Sequence, residues 1–314
     1  MNGDLQTTET AFGIEAGSPA VRRSAGRAKR TDRNATIIVW SMAMVGLALL
    51  GFIVIAICWK GLLYALNPHF VFGAPRTSAA GGGIWPMVWS SFYLAILTLV
   101  IVLPIGVGAA IYLSEYAREG FMTRSVRFGA DVLTTVPSIV FGIFGLLLFV
   151  TYMGLGYSLL AGALLLALLN LPTIMRTSEE AVKAVPNSYR EASIGLGASR
   201  WHTIKKVVLP SAMPGITTGA ILAVGRVVGE SAAIVYTVGT FVLKAPLLPT
   251  QPAAPMAGNI WYLVSEGGAM IPDAIKIASA EAAFLLLVVL AFNLLARFIA
   301  WLYKRKTRTA ARFV

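Results

Sequence analysis

Arg226 and Glu230 stand four residues apart in an apolar stretch that runs from about Pro214 to Phe241. On a continuous helix that spacing puts both side chains on one face. Arg226 follows Pro214 by 12 residues, which at about 1.5 Å per residue is roughly 18 Å into an apolar layer of about 30 Å. A charge at that depth costs about 2.5–3.5 kcal/mol on insertion scales, so it faces a cavity or a partner. A guanidinium fork donates two parallel charge-assisted hydrogen bonds to an oxyanion and repels a cation. Gly219, Ala223, Gly229 and Ala233 fall on the same face, where small residues permit close helix packing or room for a hydrated ion. Two readings stand side by side. Arg226 meets an anionic substrate while Glu230 holds its guanidinium, or the two side chains neutralise each other inside a helix interface.

Other chemistry is sparse. Arg176 closes an apolar run from Tyr157 to Met175 and is either an inner-mouth residue or a positive anchor. Glu179, Glu180 and Arg190 read as solvated loop charges, and Glu281 as a weaker candidate for an entrance. His69 and His202 read as surface residues without ligand spacing, and the single cysteine, Cys58, as packing. No G-x-x-x-x-G-K-[ST] loop is present, so ATP binding by this chain is not expected, and no nucleophile–base pair or paired acids stand out.

The elements that must hold these residues are set by composition. The 314 residues are 57% hydrophobic and 13% charged, with a mean hydropathy of +0.75. Soluble domains average about 25% charged residues, so the bilayer is the expected solvent. The formal net charge of +12 does not point to nucleic acid: the basic residues cluster between Arg22 and Arg33 and between Lys304 and Arg312, beside long apolar runs. Six runs reach spanning length, near Ile37–Trp59, Trp85–Tyr112, Val132–Tyr152, Tyr157–Met175, Pro214–Phe241 and Ile277–Trp301. Pro104 and Pro137 should bend the second and third. The first run is longer than a signal-peptide core, and no convincing small-x-small cleavage site follows it.

An all-α polytopic membrane protein is therefore expected. Residues 1–35 form a disordered basic tail, 36–303 a six-helix domain with its long loop at about 176–213, and 304–314 a second basic tail. Lys and Arg concentrate in the tails, in Ser114–Ala130 and in Arg176–Met213, while the other side carries Lys60, Arg76 and Lys244, with Lys276 near its edge. The positive-inside bias then puts both termini in the cytoplasm.

The long loop reads NSYREASIGLGASRWHTIKKVVLP from Asn187 to Pro210. Ser188 with Glu191 forms a capping-box pattern that predicts a helix start. Gly195 and Gly197 can end that helix, and Ser199 can cap a second one carrying Trp201, Ile204, Val207 and Val208 on an apolar arc. Pro210 and Pro214 then turn the chain back into the membrane. Without further information this is a structured connector. However, Glu191-Ala192-Ser193, Gly197, Val207 and Leu209-Pro210 match the EAA-x3-G-x9-I-x-LP signature of ABC importer permeases, with Ser for the second Ala and Val for Ile. Further stretches resemble the phosphate permeases PstA and PstC: Gly108–Ala117, Ala130–Gly145, Leu171–Pro186, Gly225–Ser231 and, closer to PstA, Asn259–Gly268. The resemblance covers about Trp85 to the C-terminus and departs at Ala232–Ala233, where such chains tend to have Thr-Ala-Pro; the departure is expected to touch packing.

The resemblance implies a type I ABC importer permease fold and a non-catalytic subunit of an inorganic phosphate importer in a prokaryotic plasma membrane. It implies that Glu191, Ala192, Ser193, Gly197, Leu209 and Pro210 belong to the ATPase-coupling segment, and that Arg226, Glu230 and Arg176 belong to the substrate pathway. The implied partners are a PstC-like permease, two PstB-like ATPases that bind ATP and Mg, and a PstS-like phosphate-binding protein. An ABC permease for sulfate, molybdate or phosphonate is the first rival; a membrane scaffold or membrane-embedded enzyme is the second.

Overall fold

The computed structural model describes residues 19–76, 82–118, 120–265 and 271–310, with side chains described between 32 and 302. Among these the chain is helical. Cα proximity divides it into two units, Met1–Ala56 and Ile57–Val314. Helix α1 (Pro19–Ala65), whose last nine residues belong to the second unit, begins inside the stretch expected to be a tail. Its apolar residues from Ile37 to Ile55 are exposed on nearly every side, the pattern of a helix that needs lipid or a partner around it.

The second unit carries the remaining elements. After a single turn, α2 (Pro68–Val71), come α3 (Trp85–Ile111) with a π-helical end at Tyr112–Tyr116, α4 (Phe121–Thr135), α5 (Ser138–Gly145) with a π-helical end at Leu146–Tyr152, and α6 (Leu159–Lys183). Then follow α7 (Asn187–Gly195), α8 (Arg200–Thr203), a π-helical turn Ile204–Val208, α9 (Leu209–Gly229), α10 (Ala232–Val235), α11 (Met256–Ser265) and α12 (Ala274–Ala310). Among the described residues five helices are long and apolar enough to cross a membrane, or six if α4 and α5 count as one broken span.

Three boundaries depart from the sequence expectation. The third span does not bend at Pro137; it breaks there, with α4 and α5 at 100°. Proline clashes with a helical residue before it, and Val136 takes the extended conformation instead (φ −70°, ψ 129°). The fifth span ends at Gly229 and not at Phe241, because Glu230 is extended (φ −72°, ψ 127°). Beyond it the chain folds back over the start of α6. Pro249 and Gln251 carbonyls accept from Leu160 and Leu159 N–H, and the Ser158 hydroxyl accepts from Ala161 N–H. Those are orphan donors of a helix N-terminus, which must be satisfied inside a membrane. The third departure is that Pro210 and Pro214 interrupt nothing: Arg200–Gly229 runs on as one 30-residue helix.

In lipid an apolar surface gains little from leaving its surroundings, so stability rests on close packing at small residues. A Cβ on Gly219 would lie 2.6 Å from Thr177 Oγ1, and one on Gly215 would lie 2.7 Å from Ala181 Cβ. These two contacts set α6 and α9 antiparallel at close range. Gly106 of α3 meets Ile174 of α6 in the same way. Leu94, Leu165, Leu166, Ile234 and Met256 are fully buried in the main cluster. The Ala232–Ala233 departure is a packing site, since a Cβ on Gly142 of α5 would meet the Ala232 carbonyl at 3.0 Å.

Candidate functional site

The expected Arg226–Glu230 face does not exist. Arg226 lies in the last turn of α9 and is exposed on the surface of the chain. Glu230 lies past the helix end, half-buried, and among the described residues no ion pair joins them. Glu230, four residues after Arg226, is the first residue beyond α9 and is extended, so it leaves the helix face. Arg226 instead stands where the unpaired carbonyls of a helix C-terminus favour a cation by about 0.3–1 kcal/mol. Gly219 and Ala223 are buried against neighbouring helices, so their small size serves packing. Ala233 belongs to α10.

Arg176 does not close its span. It lies seven residues before the end of α6, and its guanidinium pairs with Asp131 of α4, both side chains half exposed. One turn on, Arg127 Nη2 meets Glu179 Oε1 at 2.7 Å, and Lys183 Nζ meets the same oxygen at 2.7 Å. Glu179 is 8% exposed, not solvated as expected; Glu180 is exposed. Arg127 and Asp131, four apart on α4, thus face Glu179 and Arg176, three apart on α6. This ladder holds the amphipathic arm of the broken span to α6. The complementary spacing was present in the sequence, but the partner helix was not.

The loop knob forms. Its helix begins at Asn187 behind Pro186 without a side-chain cap, so the Ser188–Glu191 capping box is not made. Gly197 has φ +85°, and its N–H donates to the Ile194 carbonyl at 2.8 Å while Ala198 N–H reaches Ser193. This left-handed stop needs a residue without Cβ. Ser199 caps the second helix as expected, its hydroxyl accepting from His202 N–H at 3.3 Å. Ile204 and Val208 are buried, but Trp201 is 59% exposed and leaves the expected arc. Glu191, Ala192 and Gly197 are exposed, Ser193 and Leu209 are half-buried, and Pro210 is exposed. Tyr189, Ile194 and Leu196 add an apolar exposed rim, Leu196 at 90%.

Arg190, like Glu179, is not the solvated loop charge that the sequence suggested. Its side chain is 18% exposed and that of Glu115 is 9% exposed. Arg190 Nε and Nη2 donate to Glu115 Oε1 at 3.0 and 2.8 Å. Nη2 also reaches the Val182 carbonyl at 2.9 Å, and Nη1 reaches the Val185 carbonyl at 2.7 Å and Asn187 Oδ1 at 3.3 Å. Arg200 adds a bond to the Glu115 carbonyl and lies 5.0 Å from the centre of the Tyr116 ring. Ser193 and Thr203 hydroxyls meet at 2.9 Å between the two knob helices. Glu281 lines no entrance: it is fully buried in α12, and neither carboxyl oxygen has a hydrogen-bond partner among the described residues. The His69 and His202 side chains are exposed, and among the described residues no cluster of His, Cys, Asp and Glu could hold a metal.

Residues 103–309 match the family described as the binding-protein-dependent transport system inner membrane component, and the chain belongs to it. Its fold is the type I ABC importer permease fold. It superposes with a TM-score of 0.61 on the bacterial alginate ABC transporter solved with its alginate pentasaccharide-bound periplasmic protein, at 15% identity over 87% of this chain and 96% of that chain. Nearer relatives narrow the class to PstA-type permeases. The chain is 43% identical over 255 residues to the probable ABC transporter permease protein YqgI of Bacillus subtilis (strain 168), covering 77% of this chain and 86% of that protein. It is 37% identical over 213 residues to the phosphate transport system permease protein PstA of Yersinia pestis, covering 67% and 72%.

Proposed function

We propose that this chain is one of two permease subunits of an ATP-driven importer of inorganic phosphate. The observation that carries the reading is the 37% identity to a phosphate transport system permease over most of both chains. The chemistry agrees: Arg226 is the one charged residue of α9, and its fork suits a phosphate oxyanion.

In this reading a PstC-like permease completes the pathway and a PstS-like binding protein delivers phosphate to its outer mouth. Two PstB-like ATPases bind ATP and Mg, and one of them receives the exposed face around Glu191 and Ala192. Ser193 ties the knob helices, Gly197 makes the turn, and Leu209–Pro210 leads into α9. The knob and both termini face the cytoplasm of a prokaryotic plasma membrane. Arg226, exposed on the isolated subunit, gives the anion a weak hydrogen-bonded stop; tight binding there would prevent its leaving. Glu230 acts from the extended segment beyond α9, near the stop but not on its helix face. Arg176 joins the pathway only when Asp131 releases it.

Radiolabelled phosphate uptake tests this in phosphate-transport-deficient cells expressing the whole complex, wild type against Arg226→Gln. Assembly is checked by co-purification with the ATPase. Lost uptake with intact assembly is expected. Normal uptake by the variant would remove Arg226 from the pathway, and wild-type uptake inhibited more strongly by sulfate, molybdate or phosphonate than by unlabelled phosphate would overturn the substrate.

A further inference from the structure

We infer that Arg190 and Glu115 form a clamp that carries the motion of the coupling knob to α3 as well as α6. The inference rests on the proposal that the knob meets an ATPase. By chain connectivity α7 is tied to α6 through residues 184–186 and to the α8–α9 helix through residues 196–199, but not to α3. The link to α6 runs through Pro186, which is extended (φ −58°, ψ 141°) and offers no side-chain cap. The Arg190 guanidinium bridges the gap. It bonds the Glu115 carboxylate at the end of α3, the Val182 and Val185 carbonyls at the end of α6, and Asn187 at the start of α7. One planar group thereby joins three helices at fixed angles, which a flexible ammonium cannot do.

The second knob helix grips the same spot. Arg200 bonds the Glu115 carbonyl and sits over Tyr116, and the Ser193–Thr203 contact locks the two knob helices together. The Tyr112–Tyr116 turn is π-helical, a geometry that often marks functional sites in helices. Movement delivered there travels along α3 and α6, which pack on one another at Gly106 and Ile174, and from α6 to α9 through Thr177 and Gly219. Arg226 lies at the far end of α9. Arg190 and Glu115 are positioning residues: neither is required to touch substrate or nucleotide.

The test measures phosphate uptake and ATP hydrolysis together, in proteoliposomes holding the complete complex and supplied with binding protein. For Arg190→Gln and Glu115→Gln, hydrolysis continues while phosphate moved per ATP falls at least about fivefold, the lower end of usual coupling effects. The exchange Arg190→Glu with Glu115→Arg recovers part of the ratio. A wild-type ratio in both single variants overturns the clamp. If Arg190→Gln does not assemble, Arg190→Lys decides: its ammonium reaches the carboxylate or the carbonyls but not both, so an intermediate ratio supports the clamp and a wild-type ratio overturns it. Failure of both to assemble also overturns it, because the pair then serves folding and not transmission. If the wild-type complex moves no phosphate, the substrate reading fails by itself. The clamp is then read from hydrolysis and uptake with sulfate, molybdate or phosphonate.

Discussion

The contact between Gly219 and Thr177 places the helix of Arg226 against the helix of Arg176, and its strength can be measured. In Gly219→Ala the new Cβ would stand 2.6 Å from Thr177 Oγ1 and 3.0 Å from its Cβ. The hydroxyl has no easy retreat, because it donates to the Thr173 carbonyl at 2.9 Å, with the Ile174 carbonyl at 3.2 Å. Overpacking of this kind costs about 1–3 kcal/mol, partly offset by the roughly 1 kcal/mol by which Ala exceeds Gly in helix propensity. The single variant is therefore destabilised by about 0–2 kcal/mol. Thr177→Ala removes the Oγ1 at 2.6 Å and leaves the Cβ at 3.0 Å, so the double variant should be more stable than the sum of the singles by about 1–2 kcal/mol. Thermal denaturation of the detergent-solubilised complex across the four proteins gives that coupling, and phosphate uptake should follow the same order. Additivity within about 0.5 kcal/mol would refute the claim that this contact spaces the two helices.

Three further outcomes are expected. Glu281→Met should raise the thermal midpoint of the complex, since an unbonded buried carboxyl costs about 1–3 kcal/mol; a lower midpoint would mean that Glu281 has a partner in the assembled transporter. Gly197→Ala should weaken the knob by roughly 1–2 kcal/mol because φ is +85°, and Gly197→Asn should be milder; proteolysis of the loop reads both. Glu179→Gln should free α4 from α6 at a cost of about 2 kcal/mol, seen as faster cleavage between residues 118 and 137, whereas unchanged cleavage would show that the Asp131–Arg176 pair suffices.

What the sequence determined unaided was the medium, the class and the knob. Long apolar runs separated by basic loops require a bilayer whatever the tertiary arrangement, because burial of backbone polar groups in lipid allows only helices or closed barrels. The knob was legible because its signals are local. Gly197 needs a left-handed backbone and Ser199 caps a neighbouring N–H three residues on, and both are decided within one turn. The functional charges were not legible in the same way. Arg226 and Glu230 looked like a pair on one helix because Ala232, Ala233, Ile234 and Val235 continue the apolar pattern. Only packing of residues 230–255 over the start of α6 stops α9 at Gly229. Arg190 and Glu179 looked like solvated charges because partners of theirs are distant in sequence: 75 residues separate Arg190 from Glu115, and 52 separate Arg127 from Glu179. An ion pair of that kind has no period and no local motif. It exists only once the ends of α3, α4, α6 and α7 have been brought to one place.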